Sequence, residues 1–175
     1  MSTLLDYLNP VRALRMAQMG TLGLLAIYGE AAPLGLSPSA SPSPDLLLCI
    51  VCYWSARRPD ATPLLAVFLL GVARDLVTDM PVGAGALALV IVSEGIKTWR
   101  HHLARAGFFA EWLAAALAAF VATALPWLLV LITLAQPPYL TDVGNQILHT
   151  IAAYPIVMLL MRWVLRVSWK KAKAV

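Results

Sequence analysis

Apolar residues run along this chain in long blocks, and the breaks between blocks fall on charges, prolines and glycines. Six blocks emerge, and each predicts a helix: Val11 to Ala32, Asp45 to Ala56, Pro63 to Thr78, Val82 to Thr98, Phe108 to Ala135 and Gln146 to Val167. A helix that crosses lipid needs roughly 20 residues, so the second, third and fourth blocks are short. The apolar part of the second, Leu46 to Ala56, covers only about 17 Å at 1.5 Å per residue. Thinner lipid, snorkelling of Arg57 and Arg58, or burial among neighbours would absorb the mismatch; a half-span is the alternative. Between the first two blocks lies Leu36 to Pro44, LSPSASPSP, a Pro/Ser-rich stretch that predicts an extended exposed loop.

Composition turns this pattern into a solvent argument. Hydrophobic residues make up 61% of the 175 positions and charged residues 13%. A soluble domain carries about twice that charged fraction, and an aqueous fold of this length has too little interior to hide so much apolar surface. The expectation is an all-α membrane protein: a six-transmembrane-helix bundle in one integral membrane domain over residues 1–175, with no room for a separate soluble domain.

Charge placement predicts which way the bundle faces. Of the 13 Lys and Arg residues, all but Arg74 lie at the chain start, in Arg57-Arg58, in Lys97 to Arg105, or in the tail from Arg162 to Lys173. The connections Gly29 to Pro44, Asp79 to Gly83 and Gln136 to Asn145 hold none. The two kinds alternate along the chain, as six crossings require. Basic loops are poorly translocated, so both termini are expected in the cytoplasm of a bacterial inner membrane. The net charge of +4 is thus a topology signal and not a nucleic-acid face. Arg12 and Arg15 ahead of Met16 to Ile27, with Gly29-Glu30-Ala31 beyond, also fit a cleaved leader; keeping that segment as a helix preserves the alternation. Trp54, Trp99, Trp112, Trp163 and Trp169 fall near the inner interface and are expected to form an aromatic belt, with Trp127 the exception.

The candidate chemistry lies in the third block. Charges within spans are costly, yet Arg74 and Asp75 sit there, with Asp79 at the outer end. Gly71, Asp75 and Asp79 share one face, and Gly71 admits a close neighbouring backbone. The group is either a polar node that binds a partner helix or ligand, or an internal lock in which Arg74 pairs with Asp45 or Asp79. In the turn that follows, Asp79 is placed to cap the next helix, Pro81 suits its first turn, and Gly83 opens a run of small residues for tight packing. Glu94 reads as an interfacial pair with Lys97. Cys49 and Cys52 match C-x-x-C but lie mid-block without further ligands, so they read as small buried hydrophobes. His101 and His102 are expected in water, and His149 at the start of the last helix. Pro126 is expected to kink the fifth helix and free a carbonyl that needs help from a neighbour. No catalytic triad, phosphate loop or dinucleotide fingerprint appears, so no catalytic residue, metal or cofactor is expected.

The order Pro44-Asp45-Leu46-Leu47-Leu48, Tyr53-Trp54, Arg58-Pro59, Phe68-Leu69-Leu70-Gly71, Asp75-Leu76, Pro81-Val82-Gly83 and Ala86-Leu87-Ala88 resembles the bacterial rod shape-determining MreD family. Tyr154-Pro155 through Arg162 also looks like that family's ending. The resemblance covers the whole chain loosely and residues 44 to 90 well. It implies a non-enzymatic membrane protein of the cell-elongation machinery, working with MreC, the actin-like MreB, RodA and the elongation-specific penicillin-binding protein. It also implies an architecture similar to the six-helix substrate-binding subunits of energy-coupling-factor transporters. Arg74 departs from the family, where an apolar or amide residue is usual. A small-solute binding or transport subunit on the same helical plan is the rival reading; a membrane enzyme has least support.

Overall fold

In the computed structural model, which describes residues 10–31, 43–78, 81–132 and 139–164, the apolar blocks fold as six α-helices. They are α1 (Pro10–Ala31), α2 (Leu46–Arg57), α3 (Leu64–Val77), α4 (Ala84–Ala106), α5 (Phe108–Ile132) and α6 (Leu140–Val164), with a 3-10 turn at Pro59–Ala61. No strand occurs among the described residues. Two ends depart from the sequence pattern. α4 runs past Thr98 to Ala106, because the exposed His101, His102 and Arg105 are compatible with a wet helical turn; Gly107, at φ 80°, stops it. α6 begins at Leu140 and not at Gln146: Gly144 and Asn145 read as breakers but lie inside the helix, and Asp142 sits favourably in its first turn.

The shortest helix is the central one. Every residue of α2 from Leu47 to Arg57 is buried, and α2 touches α1, α4, α5 and α6. A helix apolar on all sides belongs inside a bundle, so α2 meets little of the surrounding solvent and its 12 residues need not match a lipid thickness. Trp54 is the correction this forces: it is fully buried in the core beside Tyr53, Leu47 and Val51, and is no belt residue. Trp99 and Trp163 are exposed as a belt requires; Trp169 lies outside the described residues.

The outward surface is apolar. Leu24, Leu65, Leu69, Leu76, Leu117, Phe120, Ile156 and Leu159 are all exposed large hydrophobes. Such a surface is a liability in water and is solvated by lipid. Two helices, over Phe108–Ile132 and Leu140–Trp163, are long and apolar enough to cross a membrane, and only 33% and 22% of their most apolar windows are buried. They are therefore not core helices of a soluble fold. The other four fall short for local reasons. α2 and α3 have 12 and 14 residues, α1 opens with Arg12 and Arg15, and Glu94, Lys97 and Arg100 dilute α4.

Candidate functional site

The polar residues gather at two levels, one at each end of the bundle. At the end whose connections lack Lys and Arg, the start of α2 meets the end of α3. Asp45 is buried and does two jobs. Its Oδ1 accepts from the Leu48 backbone N–H at 2.8 Å, capping α2, and its Oδ2 accepts from Arg74 Nη1 at 2.5 Å. Its own N–H donates to Thr150 Oγ1 of α6 at 3.0 Å. Glu30, at the end of α1, accepts from Leu47 N–H at 2.9 Å, so a second orphan donor of α2 is satisfied. Four helices are thereby tied at one point.

Asp75 turns the other way, as neighbours about 100° apart on a helix must. Its buried Oδ2 accepts backbone N–H groups from Gly83 at 2.9 Å, Gly85 at 3.1 Å and Ala86 at 3.1 Å. A carboxylate at a helix N-terminus meets unpaired donors and the positive end of the macrodipole together. Asp75 therefore takes the capping role that the sequence assigns to Asp79; Asp79 itself lies outside the described residues. Pro81 is likewise not in the first turn. It precedes the helix, and its carbonyl accepts from Ala84 N–H at 3.0 Å. Gly83 is the N-cap residue with φ 98°, a left-handed conformation that favours glycine.

Small residues let these groups converge. A Cβ on Gly71 would collide with the backbone of Ala86, so α3 and α4 touch main chain to main chain. A Cβ on Gly85 would overlap the Asp75 carboxylate and crowd Arg74. The structure thus brings Gly71, Arg74, Asp75 and Gly83 of the predicted node together, and adds Glu30, Asp45, Gly85 and Thr150. Beside them a cavity of about 180 Å³ opens between Arg74, Asp75, Trp127, Asp142 and Gln146.

At the opposite end a second buried ion pair appears that sequence reasoning misses. Arg57 Nη2 donates to Glu111 Oε2 at 2.8 Å and Oε1 at 3.1 Å; Tyr154 Oη donates to Oε1 at 3.2 Å. The guanidinium also lies over the Tyr53 ring, 4.6 Å from its centroid. Nearby, Arg12 Nε donates to the Asp60 carbonyl at 2.9 Å, and Lys97 Nζ bridges Glu94 at 2.8 Å and the Thr62 carbonyl at 2.6 Å. The α2–α3 turn is thus held from both sides, and Lys97–Glu94 is the pair expected from sequence. Trp112 is not simply a belt residue. Its Nε1 donates to the Ile151 carbonyl at 3.1 Å, the carbonyl that Pro155 four residues on leaves without an N–H partner.

Cys49 and Cys52 are buried free thiols. His101 and His102 are exposed. Among the described residues no group of three or more His, Cys, Asp or Glu is placed to hold a metal ion. Comparison with protein families matches residues 12–165 to the model for rod shape-determining protein MreD. No curated protein and no solved structure matches the chain.

Proposed function

This chain belongs to the MreD family of rod shape-determining proteins, and on that premise we propose that it is a non-enzymatic membrane scaffold of the cell-elongation complex. In this reading its six helices all cross the inner membrane, with both termini cytoplasmic. It supports peptidoglycan synthesis by holding MreC and, through it or directly, MreB, RodA and the elongation-specific penicillin-binding protein. One observation carries the reading. The buried charges are joined to one another and to helix ends, Asp45 with Arg74, Asp75 with the start of α4, and Arg57 with Glu111, while the outward faces stay apolar. That is the economy of a rigid body whose business is contact with other membrane helices. The test is complementation together with co-purification. Cells depleted of the protein should round up, the full chain should restore rods, and tagged protein should bring down MreC. Rods that persist without it, or recovery without MreC, would overturn the scaffold role.

The outer cavity favours a second reading, a small-solute binding subunit. Arg74, Asp75, Trp127 and Gln146 offer a charge, an aromatic face and an amide to one space of about 180 Å³. A stoichiometric small molecule released on denaturing the purified protein would support it.

A further inference from the structure

A groove lies open on the outside of the bundle between α4 and α5. Ile96, Trp99 and Leu103 form one wall, Ala114 and Ala118 the other, and Gly95 keeps it deep. Its volume is about 320 Å³ and its lining is almost wholly apolar. Nothing lies within 4 Å of a Cβ built on Gly95, so this glycine serves no internal packing. From Ile91 to Leu103 the groove follows about 18 Å of helix, somewhat over half of the ~30 Å lipid core. It ends at Trp99 and Leu103, on the helical turns of α4 that also carry Arg100, His102 and Arg105. His102 and Arg105, three positions apart, share one flank of the stripe traced by Ile96, Trp99 and Leu103, and Arg100 lies on the other flank, at about 100° per residue. Neither Arg100 nor Arg105 has a charge partner among the described residues. The Trp99 ring is exposed, in a tilted contact with His102 at 6.3 Å.

We propose that this groove binds one anionic phospholipid of the inner leaflet, with an acyl chain along Gly95, Ala114 and Ala118 and its phosphate at His102 and Arg105. Charge decides for lipid over a partner's spanning helix. Such a helix keeps its own Lys and Arg on the cytoplasmic side, and would bring like charge to Arg100 and Arg105. A phosphate brings the opposite charge, and basic pockets between helices on this side suit anionic headgroups. Trp99 fits the level between chain and headgroup, with an apolar body and a polar edge. The proposal rests on the reading that α4 and α5 cross the membrane with their junction in the cytoplasm.

The test is native mass spectrometry of the full chain purified from bilayers of phosphatidylethanolamine with either phosphatidylglycerol or phosphatidylcholine. Two variants probe the two halves of the site. Gly95→Leu fills the groove without an internal clash, and His102→Ala with Arg105→Ala removes the headgroup contacts. One retained phosphatidylglycerol is expected on the native chain, with little phosphatidylcholine. Retention should fall roughly tenfold or more in the double variant and should be lost in Gly95→Leu. Equal retention of both lipids, or variants that retain phosphatidylglycerol normally, would overturn the proposal. So would a Gly95→Leu chain that keeps its lipid but loses MreC, since the groove would then be a helix dock. Lipid retention is read without any elongation partner, so a native chain that binds the lipid but recovers no MreC fails the scaffold role alone.

Discussion

At the residue scale the decisive groups are carboxylates that each serve several donors. Asp75 holds three backbone N–H groups on one oxygen. Asp75→Ala orphans all three in a buried place, at about 1–3 kcal/mol per group, and should lower the melting temperature and cellular abundance sharply. Asp75→Asn keeps an acceptor and loses only the charge assistance, so it should be the milder change in a detergent melt. Equal loss from both would show that charge and not capping dominates. Glu111 makes the contrasting case. Glu111→Leu leaves Arg57 buried without its counter-ion, a loss of about 3–5 kcal/mol, whereas Arg57→Leu with Glu111→Leu should recover much of it. A double variant no more stable than the single would refute that account. The sequence made Asp75 legible as part of a polar node, because a charge inside an apolar block must be paired or put to use. It hid Glu111: a lone acid at a block's edge looks wet, and Arg57 beside Arg58 looks like a topology signal. Only the packing of α2 against α5 and α6 shows that both are inside.

Elements are joined here by repairing one another's defects. Pro155 breaks the hydrogen-bond ladder of α6, and Trp112 of α5 fills the gap at Ile151. Trp112→Phe should cost about 1 kcal/mol in the native chain and clearly less in a Pro155→Ala background, where the ladder supplies its own N–H. Equal costs in both backgrounds would sever the two residues. The same logic explains which helix ends could be read in advance. The close approach at Gly71 follows from a glycine facing charge on one helical face. The start of α4 did not follow, since its cap comes from the preceding helix and not from the turn beside it. Local capping rules search nearby residues, and Asp75 lies ten positions before Gly85.

For the whole molecule, the alternation of basic and uncharged connections matches two polar levels of different character. One holds Glu30, Asp45, Asp75 and, paired with Asp45, Arg74; the other holds Arg12, Arg57, Lys97 and their partners. Reporter fusions at Ser41 and His101 should read periplasm and cytoplasm respectively; the reverse result would invert the bundle. The six apolar blocks were legible because one rule, an apolar outward face, holds along the helices. The central place of α2 was not, because burial by neighbours and burial in lipid select the same residues.

That central place has a consequence for how the chain is made. α2 leaves the ribosome early, yet almost everything that holds it comes later: Arg74 and Thr150 for Asp45, Glu111 and Tyr154 for Arg57 and its neighbours. Until α3 and then α5 emerge, a short helix with a charge at each end waits for its counter-ions during synthesis. Quality control can therefore read completion directly. A chain stopped before Glu111 displays the buried Arg57 without its counter-ion, and membrane proteases should remove it while sparing the finished bundle.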